Sequence, residues 1–284
     1  MSKAKDTMRH GGDIPVHHLG DRHFEIRPLG ECTPGLFVGQ HRHDFFEILW
    51  FTSSVGECHH IDFKPFPVSA GLVYLMVPGQ VHAFTGQSPE GYVMIFSREF
   101  LDDIGDDRFR MLFNPFVSEA LEVVGETAEV LEGIVRLMMA ENRGSGDMRI
   151  LHAYMKAFLL QLARVDGRAA FPFDRGGRRM RDLFELLEGS YRAERQAGYY
   201  ASRLGVTPKR LNEILRQRFG STLTQLLHDR LVLEAKREIA YGRKSMKEIS
   251  FELGFSDQAY FSRFFKARTG MTPESFRHRM VETA

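Results

Sequence analysis

Hydrophobic patterning changes twice along the chain. From Glu25 to about Phe96, short apolar runs rich in aromatic and β-branched residues (Phe46–Phe51, Val73–Val77 and Tyr92–Phe96) are cut by seven glycines from Gly35 to Gly91 and by Pro34, Pro65, Pro67 and Pro78. Many short strands with frequent Gly and Pro turns predict a sandwich or a barrel. After Phe100 the period lengthens. Val130, Ile134, Leu137 and Met138 fit one helix face, and Leu151, Met155, Phe158, Leu162 and Val165 fit another. Glu141–Asp147, with two glycines, predicts the turn between them. Asp166–Gly177 holds three glycines and a proline and predicts a linker. Everything beyond it reads helical, and the polar residues 1–20 read as a loose terminus.

The helical back half contains an internal repeat. Tyr200–Thr207, followed by Leu211, Ile214, Leu215 and Gly220-Ser221-Thr222, aligns with Ile249–Ser256, followed by Phe261, Phe264, Phe265 and Gly270-Met271-Thr272. The offset is 49 residues at the first glycines and 50 at the later positions, so the second copy carries one inserted residue. Each copy reads as a short helix, a tight turn at Gly, a hydroxyl cap (Thr207 or Ser256) and a second helix ended by Gly220 or Gly270. That is the helix-turn-helix pattern; a generic helical hairpin is the blander reading. Between the copies, Leu223, Leu226, Leu227, Leu231, Ala235 and Ile239 form one stripe of a long connecting helix, with Asp229, Arg230, Glu234, Lys236 and Arg237 mostly away from it. Such a helix would space the two second helices for successive major grooves, ~34 Å apart.

Charge sharpens this division. The 284 residues carry a formal net charge of only +1. Residues 175–284, however, hold 22 Lys and Arg against 13 Asp and Glu, whereas residues 1–174 hold 16 against 24. A basic back half on an acidic front half points to a polyanion met by the back half alone. The composition, 43% hydrophobic and 26% charged, suits folded domains and excludes wholesale disorder. Two cysteines, Cys32 and Cys58, make no disulfide framework and suit a reducing cytosol. With no apolar run near the N-terminus and none long enough to span a bilayer, the expectation is a cytoplasmic protein without membrane segments.

Residues 180–280 resemble the DNA-binding domain of the AraC/XylS transcription regulators. The matching segments are Leu204-Gly205-Val206-Thr207-Pro208, the Leu211–Gly220 helix, Ala235, Ile249–Phe255, Tyr260-Phe261-Ser262-Arg263-Phe264-Phe265-Lys266 and the closing Gly270-Met271-Thr272-Pro273-Glu274-Ser275-Phe276-Arg277. The resemblance implies a bipartite domain that binds double-stranded promoter DNA and usually activates transcription, with RNA polymerase as a further partner. It puts base-reading positions on Lys209, Asn212 and Glu213 and on Gln258, Ala259, Ser262 and Arg263. Packing of Leu211, Ile214, Leu215 and Phe219 leaves Lys209, Asn212, Glu213 and Arg216 outward; packing of Phe261, Phe264 and Phe265 leaves Gln258, Ser262 and Arg263 outward. Arg suits guanine, Asn or Gln suits adenine, and Glu can accept from cytosine. Each could instead contact phosphate.

The front half carries its own chemistry. In Gly35-x5-His41-Arg42-His43-x3-Glu47, strand alternation puts His41, His43 and, if the strand continues, Glu47 on one face. Pro78-Gly79-Gln80-Val81-His82 would add His82 from a turn or neighbouring strand. Three imidazoles and a carboxylate could hold a divalent first-row metal such as Zn, Fe, Ni or Mn, or could simply hydrogen-bond within the domain. The spacing resembles the first motif of cupin barrels; in the second, Gly79 follows Pro78 one residue early. Asp44 could orient an imidazole. Of the adjacent His59 and His60, at most one looks inward, and neither is expected as a ligand.

These readings describe an α+β multidomain chain: a loose terminus (1–20), a cupin-like effector-sensing β-barrel (21–100), a helical dimerisation or support segment (101–165), a linker (166–177) and an all-α DNA-binding domain with two helix-turn-helix motifs (178–284). The expected function is a homodimeric, sequence-specific transcription regulator, not an enzyme, controlled by a small molecule and needing no cofactor. The alternative is a metal-dependent cupin enzyme or metal sensor fused to a DNA-binding domain.

Overall fold

The computed structural model describes residues 14–32, 39–53, 58–85, 89–106, 109–113, 120–165 and 175–282. They divide into two compact units, one spanning Val16–Leu227 and the other containing His228 onward.

Among the described residues, the N-terminal region contains ten strands: β1 (Val16–His17), β2 (Phe24–Pro28), β3 (His41–His43), β4 (Phe46–Phe51), β5 (Cys58–Ile61), β6 (Lys64–Pro67), β7 (Leu72–Met76), β8 (Val81–Thr85), β9 (Gly91–Phe96) and β10 (Leu121–Glu122). They form two five-stranded sheets, ordered β1-β3-β8-β5-β6 and β10-β7-β4-β9-β2. Of the two all-β forms expected, the sandwich of sheets is the one observed, and the barrel is not closed. The expected bounds shift with it. Val16–His17, expected in a loose terminus, pairs in parallel with β3. Leu121–Glu122, expected in a helical segment, pairs with β7.

The second sheet is covered on both faces. Phe46, Ile48, Trp50, Met94 and Phe96 pack in one cluster with helices α1 (Arg98–Asp103), α2 (Phe109–Leu112), α3 (Gly125–Arg143) and α4 (Met148–Val165). Leu49, Phe51, Tyr74, Met76 and Val93 face the other way, joining Ile61 and Phe84 of the first sheet. All six residues of β4 are therefore buried, which explains why Ile48–Phe51 run apolar where a one-sided strand would alternate; Glu47 is the one buried charge in the strand. Burying each of Trp50 and Phe51 is worth about 1.5–3 kcal/mol. Helix α4 buries Leu151, Met155, Phe158 and Leu162 as its spacing predicts. Helix α3 turns differently. It buries Leu131, Val135 and Met138, while Val130 and Leu137 of the expected face are exposed. Polar Glu129, Glu132 and Arg136 left two apolar faces available, and only the sheet surface chose between them.

The linker expectation falls mostly on residues 166–174, outside the described residues; 175–177 already belong to helix α5 (Arg175–Ser190). Then follow α6 (Ala197–Arg203), α7 (Pro208–Phe219), α8 (Leu223–Tyr241), α9 (Met246–Glu252), α10 (Gln258–Thr269) and α11 (Pro273–Glu282). The six apolar stripe residues of α8 are all buried. Arg230 and Arg237 are buried too, against expectation. Glu234 Oε2 lies 2.7 Å from Arg230 and 3.7 Å from Arg237, supplying the opposite charge that such burial requires.

Candidate metal centre and nucleic-acid interface

The sheet sandwich positions the histidines. Register sets His41 opposite His82 and His17 beside His43, all on the inner face of the first sheet. The chain then leaves that sheet at Asp44–Phe45 and enters the other as β4. Glu47 keeps the inward parity expected of it but approaches from the opposing sheet, not along the same strand. Its carboxylate Oε2 lies 3.2 Å from His43 Nε2 and 3.6 Å from His82 Nε2. Among the described residues, His43, Glu47 and His82 form a buried cluster whose donor atoms lie within 4.8 Å of one another. His41 is buried beside them, its ring centroid 4.0 Å from that of His82. Its ring nitrogens fall outside that 4.8 Å group, and its Nδ1 lies 3.2 Å from the Gly39 carbonyl. The structure thus brings together three of the four expected donors.

Hydrogen bonding around the cluster restricts its protons. His43 Nδ1 donates to the Phe45 carbonyl at 2.7 Å, so Nδ1 carries a proton and Nε2 faces Glu47. His82 Nδ1 lies 3.0 Å from Nε2 of His59. His59 is wholly buried and stacked on Phe84 at 4.2 Å. Burial pushes its imidazole down to about 3, and pushes His82 well below the ordinary histidine value, so both are held neutral. His43 Nε2, Glu47 Oε2 and His82 Nε2 have no hydrogen-bond partner.

His59 was not expected to take part. Alternation allows at most one of His59 and His60 to face inward; the pairing His59↔Phe84 makes it His59. Asp44 pairs with exposed His18 at 2.5 Å and not with the buried imidazoles. A cleft lined by His17, Arg27, His41, Phe45, Val93 and Ile95 opens beside His43 and Glu47. Trp50, Tyr74 and Phe84 belong to the cores.

The two helix-turn-helix copies repeat in three dimensions. Residues 207–220 and 257–270 have the same sequence of buried, half-buried and exposed positions. Leu211 and Leu215 match Phe261 and Phe265 as buried anchors, while Ile214, Phe219 and Phe264 are half-buried. Gly220 and Gly270 adopt left-handed conformations, φ 65° and 80°, ending each helix as expected. The cap of the second copy differs from expectation. Thr207 caps α7 by accepting from the Arg210 amide, but Asp257, not Ser256, caps α10 by accepting from the Tyr260 amide at 2.7 Å. The residue inserted in the second copy is located at this cap.

Lys209, Glu213, Arg216, Gln258, Ala259 and Arg263 are exposed, and Asn212 and Ser262 half-buried. Asn212 is also engaged within the fold, because its Oδ1 accepts from the Leu223 amide at the start of α8, at 2.9 Å. Glu213 lies 3.2 Å from Arg210 in a surface ion pair. No helix among the described residues is long and apolar enough to cross a membrane.

Known proteins resemble the chain in two separate regions. A family model described as an AraC-like ligand binding domain matches residues 23–159, and one described as a helix-turn-helix domain matches residues 200–279. The HTH-type transcriptional activator RhaS of Pectobacterium carotovorum is 25% identical over 281 residues, covering 91% of this chain and 96% of that protein. The HTH-type transcriptional activator RhaR of Shigella dysenteriae is 22% identical, covering 88% and 90%. The arabinose operon regulatory protein of Escherichia coli is 34% identical over 77 residues, or 27% of this chain and 26% of that protein.

Proposed function

The chain belongs to the AraC family of transcription regulators, and from that premise we propose that it is an effector-controlled activator that binds promoter DNA through helices α7 and α10. The observation that carries this reading is the matched pair of capped helices, each presenting a polar outward face: Lys209, Asn212, Glu213 and Arg216 on one, and Gln258, Ala259, Ser262 and Arg263 on the other. The first face joins cations for the phosphates to side chains able to read base edges, and the second presents Gln258 and Arg263 to adenine and guanine edges. The N-terminal domain takes a small molecule, which controls DNA binding to the extent that it binds the DNA-competent and incompetent states with different affinity. RNA polymerase is the partner an activator requires.

A homodimer is the assembly this reading favours. The exposed Val130 and Leu137 of α3 lie seven residues apart, two turns along one face, and give a self-complementary contact its apolar material. The family's regulators supply no reason to read the chain as an enzyme.

Selection of binding sites by the full-length chain from random duplex DNA tests the proposal. The expected product is a consensus with two conserved blocks about one helical turn, 10–10.5 bp, apart. Recovery of unenriched sequence, held equally well by scrambled duplex, would overturn it.

A further inference from the structure

We propose that the N-terminal domain binds one divalent first-row transition-metal ion between His43 Nε2, His82 Nε2 and the carboxylate of Glu47, with His59 as the residue that positions His82. This goes beyond promoter binding and stands whether or not that reading does.

The argument begins with proton positions. The Phe45 carbonyl can only accept, so His43 Nδ1 must donate to it. A neutral His43 then turns the lone pair of Nε2 toward the oxygen of Glu47, 3.2 Å away. Two acceptors at that separation repel unless something positive lies between them. His82 Nε2 points at the same oxygen from 3.6 Å. All three atoms are buried and lack a hydrogen-bond partner. Leaving buried polar atoms unsatisfied is costly. One cation would satisfy all three at once. A proton shared between His43 and Glu47 would satisfy two and leave His82 Nε2 unpaired.

The surroundings are those a metal site needs. In liganding histidines the second ring nitrogen is held by a carbonyl or another polar group. Phe45 does this for His43 and His59 does it for His82. When His82 Nε2 binds the ion, its Nδ1–H donates to His59 Nε2. The three donors come from β3, β4 and β8, in two different sheets, so their positions are set by the sandwich and not by one mobile loop. Two nitrogens and a carboxylate exclude the all-oxygen preference of calcium and magnesium and the sulfur preference of copper(I). Zinc, iron(II), nickel, manganese and cobalt(II) suit the set. Three protein ligands leave at least one coordination position for water.

Cobalt(II) titration of the full-length, tag-free chain after chelator treatment tests this, read by the visible absorption band and by bound metal after gel filtration. The expected result is one equivalent of cobalt, displaced by zinc. His43→Ala and the isosteric Glu47→Gln should lose it. His41→Ala should keep it, because His41 lies outside the donor set. His59→Gln should bind about 10–100-fold more weakly. Comparison of the thermal transition of each metal-free variant with metal-free wild type identifies any that fail to fold. Failure of the wild type to take up cobalt or zinc overturns the proposal, as does uptake unchanged in folded Glu47→Gln. Loss of binding in folded His41→Ala overturns the three-donor assignment. None of these readouts depends on DNA, so a chain that binds metal but selects no DNA, or the reverse, separates this proposal from the previous one.

Discussion

The two helix-turn-helix copies share a backbone and a burial pattern but differ in the chemistry they expose. Residues 197–222 carry five basic side chains and one acidic one; residues 246–272 carry four and three. The first copy is capped by neutral Thr207, the second by Asp257, an acid at the end where α10 begins. Asn212 has to accept the orphan amide of Leu223. Its counterpart Ser262 is spared that role, because the residue matching Leu223 is Pro273, which has no amide hydrogen. Repetition therefore fixes the scaffold and leaves the surface free to diverge. The first copy is the more basic of the two, and the second carries more of its acids.

The sharpest way to break the likeness is in the anchors. Phe265→Ala should destabilise its copy by about 3–5 kcal/mol, against about 2–5 kcal/mol for Leu215→Ala, since the ring leaves the larger cavity. Denaturant unfolding of the full chain measures both; equal losses would mean that the Phe site collapses around the gap. Next comes the readout. Arg263→Ala should weaken binding to the selected site by ~1–3 kcal/mol and relax one base preference, whereas Lys209→Ala should weaken all sequences alike and flatten the salt dependence by about one. Equal loss on selected and random DNA would remove Arg263 from the base readers.

Asn212 separates scaffold from readout. Asn212→Ala should cost about 1 kcal/mol of stability, as the loss of a cap does. Asn212→Asp keeps the acceptor for Leu223 and should restore the stability while altering DNA preference. Restored stability with unchanged preference would make Asn212 wholly structural.

The smallest expected effect is in pH. The Tyr260 amide, which donates to Asp257, holds that carboxyl below its ordinary value of about 3.9. A depressed carboxylate stabilises the fold above its unfolded value, and the contribution is lost as pH falls through the folded value. Asp257→Asn should remove this acid sensitivity below about pH 4, and Thr207→Ser should leave it unchanged. Thermal melts of the three chains between about pH 3 and 6 bracket that value and make the comparison; identical profiles would show that Asp257 contributes nothing measurable.

Legibility in the sequence followed how local each interaction is. The repeat, the α7 cap, the closing glycines and the α8 stripe rest on contacts within a few residues, so spacing alone revealed them. The α10 cap differs from expectation by one position because Ser256 and Asp257 are both good caps and only backbone geometry distinguishes them. The α3 face differs because two apolar stripes compete in its sequence. The inward parity of His41, His43 and Glu47 was readable from alternation, but the route of Glu47 through the opposite sheet was not.

By itself the sequence determined the order of the domains, the doubled helix-turn-helix scaffold, the charge division and the residue types on which the proposed DNA and metal contacts draw. These depend on periodicity, capping and composition, which are properties of neighbouring residues. Tertiary structure alone decided which histidines converge. His43 and Glu47 are four residues apart but belong to different sheets, His59 reaches His82 across a strand pair, and His41 turns to Gly39. Those outcomes depend on long-range strand register, and a one-residue slip in register exchanges the inward and outward faces of a strand.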